Sequence, residues 1–277
     1  GDLYSLMKKL HYGGTHYSWT AIGIDGDDIQ NIKYEDVIDF YQKYYGPNNA
    51  IISICGNISF DESKSLVEKW FGPIPRREVH PRMLPQEPKQ TEIRRMTVER
   101  DVPLDTLYMA FHTCNRTHPD YYAVDMLSDL LANGSSSRLI EHLVKQKQIF
   151  SQIDAYITGS FDEGLLKITG KPLPGISLEE AEAYIWQELE TLCQTMPEEK
   201  ELEKVKNRYE AEQTIKSVNF LNNAVNMAYF ELIGQAEDVN DDVKNYRSVT
   251  PQDIQRVANK VFKEENSSVL YYKAVSQ

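Results

Sequence analysis

The chain has 277 residues, enough for one large domain or two of ordinary size, so length does not exclude a sizeable buried core. Apolar residues make up 41% and charged residues 26%, with 14 Gly and 12 Pro, the profile of a soluble globular protein rather than a disordered or fibrous one. The formal net charge of −12 argues against nucleic acid, whose phosphates are met by clustered Lys and Arg, and favours a basic or extended peptide as counterpart.

The opening Gly1-Asp2-Leu3-Tyr4 has neither an initiator Met nor a signal-peptide pattern, so a trimmed start is expected, with any targeting segment outside this sequence and the compartment open. Asp25, Asp27 and Asp28 lack calcium-loop spacing and read as a solvated loop leading into a helix. From Tyr34 to Tyr45 the residues Val37, Ile38, Phe40, Tyr41 and Tyr44 recur at helical spacing, and Gly46-Pro47 stops that helix. Ala50 to Cys55 is β-branched and bounded by Asn-Asn and Gly56-Asn57, which predicts a buried strand; it is far short of the roughly 20 residues of a membrane span. A second helix is predicted over Asp61 to Phe71, with Leu66, Val67 and Trp70 on one face.

From Gly72 to Pro88 five prolines replace apolar periodicity, the signature of a linker. Strands are predicted over Arg94 to Val98 and Thr106 to Thr113, turning at Asp101-Val102-Pro103. Helices follow over Pro119 to Ala132 and Ser136 to Lys147, with Asn133-Gly134 as a C-cap. Ile149 to Thr158 and Leu165 to Thr169 read as a hairpin. The chain is then helical to about Phe262, with core stripes at Leu178, Ala181, Ile185, Leu189 and Leu192, at Leu202, Val205 and Tyr209, and at Leu221, Val225, Ala228 and Leu232.

One unit repeats. Tyr34-Glu35-Asp36-Val37 leads to Asn49 and a strand, and Thr250-Pro251-Gln252-Asp253-Ile254 leads to Asn266 and a strand over Val269 to Tyr272. The spacing from Asp to Asn is 13 in both copies. A helix-then-strand unit at both places implies two related domains, each closed by it.

Two blocks carry a resemblance. Ile22-Gly23, Ile29-Gln30-Asn31-Ile32, Glu35-Asp36-Val37, Phe40, Tyr44-Tyr45, Pro47-Asn48-Asn49, Gly56 and Trp70-Phe71-Gly72-Pro73-Ile74-Pro75 form the first. Pro119-Asp120-Tyr121 to Leu131, then Asn133-Gly134-Ser135-Ser136-Ser137-Arg138-Leu139, form the second. In this order they resemble the end of the first domain, and the Gly-rich Ser-Arg-Leu motif of the second domain, of the zinc metallopeptidase family that includes pitrilysin, insulinase and mitochondrial processing peptidase. The similarity runs from about Tyr12 to the C-terminus. It implies an α+β fold with a mostly antiparallel sheet packed against helices. It also implies that 1–71 is the C-terminal tail of a first peptidase-like domain, 72–92 a Pro-rich linker and 93–277 a second peptidase-like domain.

The family's zinc site is an H-x-x-E-H helix with a distal Glu. None of His11, His16, His80, His112, His118 and His142 begins that motif. No metal and no catalytic residue is therefore expected in this chain, and zinc is expected in the parent protein or its partner. Relatives also carry an Arg and, seven residues on, a Tyr that contact substrate. Aligned from Ser137-Arg138-Leu139, those positions hold Val144 and Ser151, so the pair is lost. Gly134, Ser136, Ser137 and Arg138 remain as candidates for contact with substrate or partner. The implied partner is a second family-like half or subunit, in a homo- or heterodimer closing around a peptide.

The leading reading is thus the C-terminal, non-zinc-binding portion of a zinc-dependent endopeptidase subunit, inactive alone. The alternative is a non-catalytic structural or assembly subunit of the same family. His112, Cys114 and His118 suit zinc by type but lack a fourth ligand. Ser135-Ser136-Ser137-Arg138 lacks the ending of a phosphate loop, and capping by Ser135 or Ser136 is the expectation. Cys55, Cys114 and Cys193 are too scattered for a disulfide framework and read as buried free thiols.

Overall fold

The computed structural model describes residues 2–13, 15–21, 23 and 26–275, with the side chain of Asp28 outside that set. The acidic-loop residue Asp25, and Ile22 of the resemblance, therefore lie outside the described residues. In chain order the elements are α1 (Leu3–Tyr12), α2 (Gly26–Asn31), α3 (Tyr34–Tyr44), α4 (Phe60–Phe71), β1 (Arg94–Arg100), β2 (Thr106–Thr113) and α5 (Tyr121–Ala132). A π-helical stretch (Ile140–Gln146) leads to β3 (Phe150–Ile157), β4 (Gly164–Pro172), α6 (Leu178–Gln194), α7 (Glu199–Lys216), α8 (Phe220–Ile233), α9 (Asp242–Ser248), α10 (Pro251–Val261) and β5 (Ser267–Ala274). They fall into two compact units, one of Gly1–Trp19, Glu87–Glu210 and Val243–Gln277, the other of Thr20–Gln86 and Ala211–Asp242.

The first unit is built on a five-stranded sheet of order β1-β5-β2-β4-β3. β1 and β5 run parallel, and the other neighbours are antiparallel. Alternation along the strands decides which side chains meet the helices. Leu107, Met109 and Phe111 of β2, Leu166 and Ile168 of β4 and Ile153 of β3 join one buried cluster with Leu127 and Leu131 of α5, Ile185 and Leu189 of α6, and Ile254 and Val257 of α10. At about 1.5–3 kcal/mol for each fully buried large aliphatic side chain, this layer supplies the main favourable term. The α6 stripe is buried along its whole length, as its spacing predicts.

The opposite face of the sheet receives α1, whose Met7 and Leu10 pack with Leu270 against Met96 and Val98. Asp2 accepts from Arg100 Nε at 2.9 Å, and Arg94 Nη1 donates to the His11 carbonyl at 2.5 Å, which fastens the two ends of α1. On the helix side, Glu182 of α6 accepts two bonds from Arg95 of β1 (2.7 and 2.8 Å), one from Tyr271 of β5 (2.5 Å) and one from Trp186 (3.1 Å). The architecture is α+β, a mostly antiparallel sheet packed against helices.

The second unit carries α2, α3, α4 and α8. Ser59 caps α4 by accepting from Glu62 N at 3.2 Å. Arg77 closes α3, donating to the Tyr41 and Gln42 carbonyls while its backbone N–H bonds Asn48 Oδ1 at 2.9 Å. The Pro-rich stretch is thus tied down in this unit at Arg77. In the first unit it is held at the buried Gln90, which donates to the Ser267 carbonyl at 2.6 Å.

Two expectations fail in the second unit for one physical reason. Ala50 to Cys55 is not a strand: no neighbouring strand among the described residues offers its backbone partners, and a strand exists only as one side of a ladder. The stripe Leu221, Val225 and Leu232 is exposed rather than core, and Phe230 is the buried residue of α8. Tyr34, Phe40, Ile52, Phe60 and Trp70 are likewise exposed, Tyr34 at 75% and Trp70 at 65%. The three cysteines are free but half-buried rather than buried. No helix among the described residues is long and apolar enough to cross a membrane.

Candidate functional site

The Gly-rich motif forms the corner after α5. Gly134 takes a φ of +107°, in the region that favours glycine, and the absence of a side chain there leaves room for the Arg208 guanidinium. Asn133 Nδ2 donates to Asp129 Oδ1 at 2.8 Å. Ser137 Oγ donates to the Gly134 carbonyl at 2.6 Å, in place of the helix cap expected from Ser135 or Ser136. Ser136 accepts from Lys204 Nζ at its carbonyl (2.8 Å) and its hydroxyl (3.1 Å). Arg138 forms a two-pronged pair with Glu201, Nε and Nη2 each at 2.8 Å, both side chains mostly buried. Ser136 and Arg138 are thereby stitched to α7, and contact of Arg138 with a peptide would first have to break the Glu201 pair.

The π-helical stretch then carries Val144 toward the core, where it packs half-buried. Lys147 N donates to the His142 carbonyl and Ile149 N to the Leu143 carbonyl, at 2.9 and 2.8 Å, with Gln148 at a φ of +54° between them. That tight exit places Ser151 on β3, exposed, its Oγ donating to the Lys171 carbonyl at 3.1 Å. Val144 and Ser151 are not brought together as a reactive pair. Beside them is a group that sequence reasoning missed: the buried Glu188 of α6, facing His142 Nδ1 at 2.7 Å and Lys147 Nζ at 3.5 Å. Its partners are more than 40 residues away in sequence, so no local signal points to it.

β3 pairs with β4 on one side, and no strand among the described residues covers its other edge. A groove of about 560 Å³ runs beside it, lined by Asp129, Asn133, Asp154, Tyr156 and Thr169. A free edge of this kind offers backbone donors and acceptors to an extended chain.

Three histidines face partners within the chain. His112 Nε2 lies 3.2 Å from Gln90 Oε1, His118 Nδ1 accepts from the Asp120 N–H at 3.0 Å, and His142 faces Glu188. Burial, with Arg94 nearby, holds His112 down to about 4, and burial, with Lys167, His112 and Arg94, holds His11 down to about 3. Burial pushes the Cys114 thiol up to about 11, away from the thiolate that binds metal. Among the described residues no three His, Cys, Asp or Glu side chains converge on one point.

Comparison with known proteins matches residues 31–209 to the family described as the peptidase M16 inactive domain. The zinc protease PqqE of Helicobacter pylori (strain ATCC 700392 / 26695) is 28% identical over 278 residues, covering 99% of this chain and 62% of that protein. The uncharacterized zinc protease YmxG of Bacillus subtilis (strain 168) is 23% identical over 97% of this chain and 64% of its own length. The chain thus spans less than two thirds of either relative. Among solved structures, a protease from Helicobacter pylori superposes with a TM-score of 0.89 at 29% identity over 99% of this chain and 67% of that one. A peptidase M16 inactive domain from Pseudomonas fluorescens gives 0.84 at 18% identity over 99% of this chain and 65% of that one, a likeness of fold.

Proposed function

Because the chain belongs to the peptidase M16 inactive domain family, we propose that it is the non-zinc-binding rear portion of a zinc-dependent endopeptidase subunit, which walls a peptide chamber and docks a second half. The observation that carries this reading is the uncovered apolar surface of 34–71. Ile51, Ile52 and Ile54 lie extended, unpaired and exposed, flanked by exposed Phe40, Phe60 and Trp70. Exposed apolar patches of this extent mark a surface that is covered by something else. On this reading 1–71 is the tail of a first domain, 72–92 joins it to a second domain over 93–277, and the missing sheet of the first domain supplies the ladder that Ala50 to Cys55 lacks.

The chain carries none of the chemistry itself. Zinc would be held by the upstream half or by a partner subunit, and a partner would supply the Arg and Tyr that Val144 and Ser151 replace. Gly134, Ser136, Ser137 and Arg138 serve this arrangement by fixing the corner that leads into β3, whose free edge borders the chamber.

The test is to extend the parent reading frame by about 200 codons upstream, one ordinary domain. The extended protein should bury Trp70, seen as a blue shift of its fluorescence, and cleave a quenched fluorescent peptide in a chelator-sensitive manner, alone or with a partner subunit. Burial without cleavage under any pairing would make the protein a non-catalytic assembly subunit; no burial would overturn the docking reading.

A further inference from the structure

Alternation along β4 sends Leu166 and Ile168 into the helix-side core and leaves Leu165 and Lys167 on the face that α1 partly covers. Lys167 is 9% exposed. Its register partners are Ala110 on β2 and Tyr156 on β3. The ammonium lies 5.8 Å from the centre of the Tyr156 ring and 6.0 Å from that of Tyr4. Among the described residues it makes no ion pair and donates no hydrogen bond. Its stem is buried and its ammonium reaches solvent with three donors, which the two aromatic faces answer only in part.

The surroundings offer it no relief. Lys8 sits over the same Tyr4 ring at 5.5 Å and donates to the Trp19 carbonyl. His11, one turn further along α1, is 1% exposed, with neither ring nitrogen bonded. The acids on this face have other partners: Asp2 has Arg100 and Tyr272, Asp154 has Gln152, Asp162 has Tyr17 and Glu87 has Thr15. A chain of net charge −12 thus gathers cations and phenols around Lys167 and pairs no carboxylate with it among the described residues. Continuous with Tyr4 is a pocket of about 460 Å³ whose walls are mainly apolar, from Leu3, Leu104, Tyr108 and Tyr272, with Lys171 at its edge.

We propose that Lys167 is the anion anchor of a peptide subsite: a carboxylate of an extended peptide seats against its ammonium, and an adjacent apolar side chain fills the pocket walled by Leu3, Tyr4 and Tyr108. A single monovalent anion matches the single unpaired cation, and the apolar walls match a hydrophobic residue beside it. The proposal rests on the peptide-chamber reading above and deepens it.

The test uses the whole 277-residue chain, calorimetric titration at pH 7 and low salt, and three peptides: acetyl-Ala-Ala-Phe as free acid, the same peptide as C-terminal amide, and acetyl-Glu-Ala-Phe amide. The free acid is expected to bind at least tenfold tighter than its amide. Lys167→Met should abolish that difference while Lys167→Arg keeps it. Lys167→Met keeps an apolar side chain in place of the buried stem, so its thermal midpoint should hold, which excludes misfolding as the cause of any loss. If the Glu peptide alone gains over the amide, the carboxylate comes from a side chain and the anchor stands. Equal binding by all three peptides would overturn the anchor and leave the chamber reading intact. Undiminished preference for the acid in folded Lys167→Met would also overturn it, and so would the absence of binding by any peptide, whatever the docking test on Trp70 gives.

Discussion

Asn49 and Asn266 make the same hydrogen bond in two parts of the chain. Nδ2 of Asn49 donates to the Tyr44 carbonyl at 2.9 Å, and Nδ2 of Asn266 donates to the Val261 carbonyl at 2.8 Å, each closing the helix before it. At the starts of those helices, Asp36 Oδ2 accepts from Lys33 N at 3.0 Å and Asp253 Oδ2 from Thr250 N at 3.1 Å. The repeat in the sequence is therefore a repeat of hydrogen bonds. The copies differ in the segment after the Asn: β5 is paired on both sides, whereas Ala50 to Cys55 has no strand partner among the described residues. Asn266 also reaches the His112 carbonyl of β2 at 3.0 Å, a bond its counterpart lacks.

That asymmetry predicts unequal costs. Asn266→Ala takes a donor from the half-buried His112 carbonyl and from the Val261 carbonyl, which still accepts from Lys263 N, and should cost about 1–3 kcal/mol, whereas Asn49→Ala at an exposed site should cost under about 1 kcal/mol. Urea denaturation of the two variants measures the difference; equal losses would show that the bond to β2 contributes nothing.

Glu182 predicts how the fold responds to acid. Burial pulls its carboxyl up, but the bonds from Arg95, Tyr271 and Trp186 outweigh that and hold it below its ordinary value of 4.5. A carboxylate lowered in the folded state contributes stability that is complete above the unfolded value and is lost as pH falls through the folded one. Stability should therefore decline from about pH 4.5 downward, and Glu182→Gln should lower stability at pH 7 while flattening that decline. An unchanged pH slope in the variant would assign the acid sensitivity to other groups.

Gly170 lies on β4 where a Cβ would stand 2.5 and 2.8 Å from ring carbons of Phe150, itself 1% exposed. Gly170→Ala should cost about 1–3 kcal/mol through overpacking. Adding Phe150→Leu makes room for the methyl group, so the double variant should be less destabilised than the sum of the two single changes. Strict additivity would mean that the ring moves aside freely.

Cys114 should be slow to alkylate. With its thiol raised to about 11 from 9.0, mainly by burial and then by Asp120, little thiolate is present at pH 8. Iodoacetamide labelling followed by peptide mass analysis should show Cys114 reacting on the order of tenfold or more slowly in the native chain than in guanidinium. Equal rates would place that strand end in rapid exchange with solvent.

Much of the fold is legible in the sequence because its signals are local. The alternation in Thr106 to Thr113, the α6 stripe and the Thr250-Pro251 helix start all report at short range, and each element forms where its pattern places it. Ala50 to Cys55 misleads because a strand depends on a neighbour that its own residues do not specify. The α8 stripe misleads because amphipathic spacing does not say whether a partner surface is present. The site is less legible still. Arg138 and Glu201, and His142 and Glu188, are joined across many residues, and Lys167 reads in sequence as an ordinary solvent-facing position in a strand. The signal available for Lys167 is the apolar company of Leu165, Leu166 and Ile168 around a lone cation.

The order of strands has a consequence for how the protein is made. β5 lies between β1 and β2, yet it is the last of the five to be translated. As the chain emerges from the ribosome, β1 has no neighbour to pair with while β2, β4 and β3 can already form a ladder, and the long-range pairing that unites them waits for β5. A nascent chain stalled before Ser267, or one clipped there by a protease, would hold two strand edges open at the centre of its sheet. Such species are the ones a cell's chaperones would meet, and their hazard is edge-to-edge aggregation rather than loss of helices.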